Sequence, residues 1–100
     1  AMKAASIRHM AQRALQWGEK GIRANTVAPG PIFIEGGAWN NIKDHATPLY
    51  ERDRDWHPTK RMGTAEEVAR VVAFLASPAA SWVNGTTVRV DGAFCRGVDF

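Results

Sequence analysis

The chain has 100 residues, of which 45% are apolar and 23% are charged, and its 13 basic and 10 acidic side chains leave a formal charge of +3. This composition excludes a chain that is disordered throughout, and the length allows one small domain. Because Cys95 is the only cysteine, a disulfide framework and a thiolate zinc site within one chain are excluded, and a reducing cytoplasm is the expected compartment.

The first predicted element is a helix over residues 2–19, where apolar side chains recur at helical spacing. Gly21 is predicted to be its C-cap, because glycine readily adopts the left-handed conformation that ends many helices. The stretch over residues 22–28 is short, partly β-branched and mostly apolar, which is typical of a strand buried on both faces of a parallel sheet. Pro29, Gly30 and Pro31 end this strand.

The start of the first helix lacks the usual signals. Ala1, Met2 and Ala4 offer no side-chain oxygen to the free amides of a first turn. Lys3 places a cation at the positive end of the helix dipole. The sequence therefore predicts that this helix begins upstream, in a longer parent protein.

Residues 33–62 form a long segment of weak periodicity. A connection of this length in a compact domain is usually a functional loop or a disordered one. Its aromatic side chains favour a lid that docks on the rest of the protein. We expect short helical turns near residues 39–43 and 48–54. The aromatic residues are Phe33, Trp39, Tyr50 and Trp56.

A second helix is predicted over residues 64–76, because Thr64 and Glu67 form a capping box. After a turn at Asn84-Gly85, residues 86–90 alternate like a strand. Two strands joined through a helix predict a parallel pair with a right-handed crossover. Since two strands and two main helices cannot cover a parallel sheet on both faces, further strands are expected elsewhere in the parent.

The remaining charged residues predict no separate site. His9, His45 and His57 share no metal-ligand spacing, so we expect exposed or capping side chains and no metal site. The basic residues do not form a run of like charges, and a solvated helix face explains those of the first helix. No apolar run is close in length to a membrane span, which needs about 20 residues. The sequence therefore predicts neither nucleic acid nor a membrane as a partner.

Four motifs, in this order and at this spacing, resemble the short-chain dehydrogenase/reductase family. They cover nearly the whole chain, and their shared order makes the resemblance specific. The motifs are Ala1-Met2-Lys3-Ala4-Ala5, the stretch Gly21-Ile22-Arg23-Ala24-Asn25-Thr26-Val27-Ala28-Pro29-Gly30-Pro31-Ile32, the stretch Arg61-Met62-Gly63-Thr64-Ala65-Glu66-Glu67-Val68-Ala69, and Asn84-Gly85 with Val90-Asp91-Gly92.

The resemblance implies an α/β fold. Residues 1–100 would be the C-terminal fragment of a single Rossmann-type domain, a doubly wound parallel sheet, and residues 33–62 would be its substrate lid region. The order would be helix, strand, lid loop, helix and strand.

The resemblance also implies the site residues. Lys3 matches the lysine of the family's Tyr-x-x-x-Lys pair, whose tyrosine would fall just before Ala1, outside the chain. At this spacing the two side chains share one helix face, where the ammonium can lower the phenol pKa and hold the nicotinamide ribose. Pro29, Gly30 and Ile32 match a turn whose backbone around Ile32 pairs with the nicotinamide carboxamide. Ile34 stands where the family often has a cofactor-touching threonine.

The implied parent is an NAD- or NADP-dependent oxidoreductase that transfers hydride between the cofactor and a carbonyl or alcohol substrate, and it is expected to be a homo-oligomer. The family's glycine-rich phosphate turn does not occur in these 100 residues. We therefore expect this chain alone to bind no cofactor and to be inactive. The alternative is a non-catalytic truncated protein that self-associates.

Overall fold

The structure is a computed structural model that describes the backbone of residues 2–96 and the side chains of residues 5–96. This part of the chain contains both helices and strands, which confirms the α/β class. The elements are α1 (Met2–Gly18), β1 (Thr26–Pro29), α2 (Ala38–His45), α3 (Thr47–Trp56), α4 (Ala65–Ala76), a short 3-10 helix (Pro78–Ala80) and β2 (Thr87–Val90).

The strands β1 and β2 pair in one two-stranded sheet of the described part. Thr26 N–H donates to the carbonyl of Thr86 at 2.9 Å. Four residues further along each strand, Gly30 N–H donates to the carbonyl of Val90 at 3.0 Å. Because the partners advance together along the chain, the strands are parallel, as the sequence predicts.

The strand β1 begins later than predicted, at Thr26 rather than at residue 22. The backbone just before it is held by two amide side chains and by one backbone hydrogen bond, in which Gly85 N–H donates to the carbonyl of Ala24 at 2.9 Å. Ala24 N–H donates to Asn84 Oδ1 at 3.0 Å, and Asn25 Nδ2 donates to the carbonyl of Val83 at 2.9 Å. The amide side chains therefore supply part of the hydrogen bonding that a continuous strand ladder would otherwise provide here.

The end of α1 is formed as the sequence predicts. Gly21 has a φ of +76°, and its N–H donates to the carbonyl of Gly18 at 3.0 Å. Ile22 N–H donates to the carbonyl of Trp17 at 3.1 Å. This pair of hydrogen bonds is a Schellman motif with glycine at the left-handed position, and it satisfies carbonyls that the helix itself cannot.

The capping box at the start of α4 is also confirmed. Thr64 N–H donates to Glu67 Oε1 at 2.9 Å, and Glu67 N–H donates to Thr64 Oγ1 at 3.2 Å. The two residues therefore satisfy one free amide each at the first turn.

The long segment contains two helices, α2 and α3, which are longer than the helical turns expected there. A proline, Pro48, occupies the first turn of α3, where its fixed φ suits a helix and its missing N–H costs nothing. Thr47 Oγ1 donates to the carbonyl of Lys43 at 2.7 Å and links the end of α2 to the start of α3. The two helices pack on each other.

Two compact units make up the chain, and the boundary between them falls within α4 and within both strands. The first unit consists of Ala1–Ala28 and Val71–Val88, and the second consists of Pro29–Arg70 and Arg89–Phe100. Each unit has a small core of its own. The buried residues of the first unit are Ala14, Ala24, Leu75 and Ala80, and those of the second are Met62 and His57.

Within residues 2–96, none of the helices combines the length and the apolar character that crossing a lipid bilayer requires.

Candidate functional site

The turn that leaves β1 brings its backbone unusually close to the end of β2. A Cβ atom added to Gly30 would lie 2.5 Å from the Cβ and 2.8 Å from the Cα of Asp91. Any residue other than glycine would therefore force one of the two backbones to move. This contact explains the glycine between the two prolines in physical terms.

Beyond this turn, Ile32 forms an isolated parallel bridge with Gly63. The hydrogen bonds of the bridge come from its neighbours: Gly63 N–H donates to the carbonyl of Pro31 at 3.0 Å, and Phe33 N–H donates to the carbonyl of Gly63 at 3.0 Å. In extended backbone, successive residues direct their polar groups to opposite sides. The N–H and C=O of Ile32 therefore point away from Gly63, and neither has a hydrogen-bond partner among the described residues.

A pocket of about 120 Å³ lies in the second unit at the ends of the two strands. One wall is the turn at Pro31 and Ile32, and another is the end of β2 from Val90 to Gly92. In open parallel α/β sheets, ligands bind beyond the carboxyl ends of the strands. The remaining lining residues are His57, Thr59, Arg61, Gly63 and Glu67.

The imidazole of His57 is the most buried polar side chain of the described part, with 2% of its surface exposed. Its Nδ1 lies 3.2 Å from the carbonyl of Arg54, and since a carbonyl only accepts, Nδ1 carries the proton. Nε2 has no protein partner, yet no buried nitrogen or oxygen of a described side chain lacks one. Nε2 is therefore not fully enclosed by protein, and His57 contributes to the wall of the pocket.

The burial of His57 beside the pocket was not predicted from the sequence. An exposed or capping histidine was expected, and His57 does occupy the C-cap position of α3. Its ring, however, packs on Phe94 with centroids 4.9 Å apart, and this partner is 37 residues away in the sequence. No local pattern around His57 reports such a contact.

An exposed ion pair lies at the pocket rim. Arg61 contacts Glu67 through two hydrogen bonds, Nη1 to Oε1 at 2.7 Å and Nη2 to Oε2 at 2.9 Å. The hydrogen bonds from Arg61, together with the one from the backbone of Thr64, lower the pKa of Glu67 to about 2. Glu67 is therefore an anion throughout the physiological range, committed to Arg61 and to the helix cap, and it does not act as a proton carrier.

The carboxylate of Asp91 is likewise occupied by hydrogen bonds, in this case from backbone amides. Its Oδ1 accepts from Ala93 N–H and its Oδ2 from Cys95 N–H, both at 3.1 Å. Both carboxylate oxygens therefore shape the segment after β2. Among the side chains of residues 5–96, no group of three or more His, Cys, Asp and Glu residues is placed to hold a metal ion.

The structure brings two of the four predicted site residues together. Gly30 and Ile32 belong to one turn that lies against β2 and Gly63, whereas Pro29 ends β1 with an exposed ring. The backbone of Lys3 lies in the first turn of α1, and its side chain is outside the described residues. Ile34, the position where the resemblance would have a threonine, is 53% exposed.

Comparisons with known proteins agree on the kind of protein that shares this arrangement. A family model described as enoyl-(acyl carrier protein) reductase matches residues 1–94. The isoepoxydon dehydrogenase patN of Aspergillus clavatus is 44% identical over 98 residues, which cover 98% of this chain and 38% of that protein. This chain therefore spans well under half the length of that curated relative.

Solved structures show the same fold. The crystal structure of a short chain dehydrogenase from Bacillus anthracis superimposes with a TM-score of 0.80 at 34% identity, over 98% of this chain and 37% of that one. The structure of ElxO with NADP bound superimposes with a TM-score of 0.80 at 28% identity, over 95% of this chain and 38% of that one. The arrangement of α1, β1, α4 and β2 is therefore part of a Rossmann-type fold.

Proposed function

Because the chain belongs to the short-chain dehydrogenase/reductase family, we propose that it is part of an NAD(P)-dependent oxidoreductase. The reaction would transfer hydride between the nicotinamide ring and a small carbonyl or alcohol substrate. The bound cofactor would supply the hydride chemistry, and the residues of this chain would hold and orient it.

The backbone of Ile32 carries this proposal. A primary amide offers one oxygen acceptor and two N–H donors, so it pairs with an N–H and a C=O that point the same way. Ile32 presents such a pair, because the bridge to Gly63 uses the groups of Pro31 and Phe33 instead. The carboxamide of a nicotinamide would fit this edge. Gly30 supports the fit, since its close approach to Asp91 fixes the direction in which the turn leaves β1.

Lys3 has two roles in the proposal, both carried over from the family motif. Its ammonium would hold the nicotinamide ribose, and it would lower the pKa of a tyrosine one helical turn upstream, which would donate or accept the proton. That tyrosine and the glycine-rich phosphate turn would come from sequence outside these 100 residues. Residues 1–100 would then be a fragment of a single domain, with residues 33–62 as the substrate lid region.

The choice between NAD and NADP is left open by this proposal, although the relative ElxO, with NADP bound, supports a nicotinamide dinucleotide in general. The proposed compartment is the cytoplasm, in keeping with the exposed free thiol of Cys95. We also propose a homo-oligomer. Large apolar side chains of the first unit are exposed, Leu15 to 79% and Trp82 to 97%, and such surfaces often contact a partner.

The same exposed side chains favour a second candidate, a non-catalytic truncated chain that self-associates. Light scattering across a hundredfold dilution tests association, and a monomer of 11.0 kDa at every concentration would contradict it. Association alone does not distinguish the two candidates, because an oligomeric enzyme also associates. Cofactor binding distinguishes them.

Calorimetric titration with NAD⁺ and NADP⁺ is therefore the deciding measurement. We expect no micromolar binding to the 100-residue chain and clear binding to a polypeptide extended upstream through the tyrosine and the glycine-rich turn. In the extended polypeptide, Ile32→Pro removes one backbone donor and should weaken binding about tenfold, the equivalent of one good hydrogen bond. Ile32→Val keeps both backbone groups and should bind within a factor of about two of the wild type.

Two outcomes would contradict the proposal. Absence of cofactor binding by the extended polypeptide removes the oxidoreductase function. Equal loss of affinity in Ile32→Pro and Ile32→Val would show that the side chain of Ile32, and not its backbone, matters for the cofactor.

A further inference from the structure

The segment after β2 is tied to the end of α3 by contacts that the proposed hydride transfer does not use. We name residues 93–96 the C-terminal strap. Its base is Asp91, whose two carboxylate oxygens accept from Ala93 N–H and Cys95 N–H, while the carbonyl of Asp91 accepts from Phe94 N–H at 2.9 Å. Three hydrogen bonds to one residue fix the direction in which the strap leaves the strand.

The strap makes three contacts with Trp56, the last residue of α3. The indole Nε1–H donates to the carbonyl of Phe94 at 2.7 Å. The guanidinium of Arg96 lies over the indole ring, 3.9 Å from its centroid, and also donates to the carbonyl of Trp56. A guanidinium stacked on an indole is a favourable cation–π arrangement, and here it satisfies a helix C-terminal carbonyl as well.

The strap also reaches the pocket. The ring of Phe94 packs on His57, which follows Trp56 directly and forms part of the pocket wall. The same four residues therefore contact both the end of α3 and the wall of the pocket.

The chain before α2, at Gly36, is held by a different kind of contact from the end of α3. Gly36 has a φ of +78°, and a Cβ atom placed on it would meet nothing within 4 Å. Its N–H donates to Asn40 Oδ1 at 2.8 Å, which is a contact within the same segment. Beyond the hydrogen bond from Phe33 to Gly63, the chain at Gly36 is therefore open and locally bonded, whereas the end of α3 is held by residues 37 to 40 positions away in the sequence.

We propose that the C-terminal strap is a latch with Trp56 and Arg96 as positioning residues. The latch keeps the end of α3 and His57 in place beside the pocket, so that the part of residues 33–62 between Gly36 and the end of α3 opens by a change at Gly36 while the end of α3 stays attached. The inference rests on the proposed function only in taking residues 33–62 as the substrate lid. Lid motion of this kind commonly controls substrate entry and product release.

Hydrogen exchange on the 100-residue chain without cofactor tests the latch. Arg96→Ala should accelerate exchange of the α3 amides about fivefold, in proportion to the loss of a cation–π contact, and leave α4 and β2 unchanged. Arg96→Lys keeps a cation near the ring but not the planar stack, and should accelerate α3 about twofold. Arg8→Ala, which removes an exposed arginine of α1, is the matched control and should change none of these elements.

Three outcomes would overturn the latch. They are unchanged exchange of α3 in Arg96→Ala, equal acceleration of α1, α3 and α4, and wild-type exchange of α3 as fast as that of an unstructured peptide. Trp56→Phe, which removes only the N–H donor and part of the ring, gives the same comparison if Arg96→Ala fails to fold. Because no cofactor is present in these measurements, failure of the latch and failure of the cofactor proposal are separate results.

Discussion

Each of the two units of the chain is stabilised internally by its own kind of contact. In the first unit, side chains fasten the backbone across long sequence separations. The guanidinium of Arg23 donates to the carbonyls of Leu75 at 2.8 Å, Ser77 at 3.2 Å and Val83 at 3.3 Å. In the second unit, ion pairs such as Arg61 with Glu67 join residues close in sequence, and distant segments meet mainly through backbone contacts and the C-terminal strap.

This difference indicates which interactions stabilise each unit. A charged side chain that satisfies several carbonyls is costly to remove, because those carbonyls lose their partner. An exposed ion pair contributes little, since water and salt screen it. We therefore expect the first unit to depend on its polar side chains, and the second unit to depend on the close backbone contact at Gly30.

The largest effect is expected for Gly30→Ala. The added methyl group would collide with the backbone of Asp91, and the resulting shift should lower the free energy of unfolding by about 3 kcal/mol. Gly63→Ala is the matched control, because its Cβ would meet mainly the terminal methyl of Ile32, which can rotate away, and should cost about 1 kcal/mol or less. Urea unfolding followed by circular dichroism measures both. Equal costs for the two variants would show that the turn is not tightly held against Asp91.

Arg23→Ala should have the next largest effect. Three carbonyls lose a charged donor, and the free energy of unfolding should fall by about 2 kcal/mol. Arg23→Lys keeps the charge but offers no planar fork, so it should recover only part of this loss.

The control for Arg23 is Arg8→Ala in α1, which should stay within about 0.5 kcal/mol of the wild type. The same urea titration measures all three variants. If Arg23→Ala and Arg8→Ala behave alike, the carbonyls of Leu75, Ser77 and Val83 find other partners, and the contrast between the units fails.

The smallest effect concerns the exposed pair of Arg61 and Glu67 and appears as a pH dependence. The pKa of Glu67 is lowered from 4.5 to about 2 in the folded chain, so the unfolded chain takes up this proton first as the pH falls. The stabilisation is therefore complete above about pH 4.5, declines below it, and is lost as the pH passes through about 2.

Urea midpoints at pH 6, 4 and 3 measure this decline. Glu67→Gln should remove part of it, and 1 M salt should weaken it, because exposed charges are screened. Glu66→Gln is the control, since the structure describes no ion pair for Glu66. A decline that is identical in all three proteins would show that Glu67 contributes nothing to the pH dependence.

Several elements of the fold were predictable because their causes are local. The capping box of Thr64 and Glu67 and the Schellman motif at Gly21 each depend on residues within one or two helical turns. Neighbouring side chains and amides are enough to define them. The two helices α2 and α3 were expected only as short turns, because their apolar periodicity is weak and their packing on each other extends them.

The start of β1 was predicted four residues too early, because the contacts that set it are not local. The apolar pattern from residue 22 onward is that of a strand, but Asn25 and Asn84 bond the backbone there and delay the ladder to Thr26. The partners of these amides lie about sixty positions away, and neither periodicity nor turn signals in a single sequence reports that distance.

Periodicity, capping residues and the order of motifs were enough to predict the α/β class, the order of the elements and the resemblance that names Lys3, Pro29, Gly30 and Ile32. Folding was needed to place Gly30 against Asp91 and to form the bridge to Gly63 that does not use the polar groups of Ile32. Folding also buries His57 against Phe94 and stacks Arg96 on Trp56. Each of these contacts joins residues about 30 to 60 positions apart, and their formation depends on how the chain closes on itself rather than on the preference of any local segment.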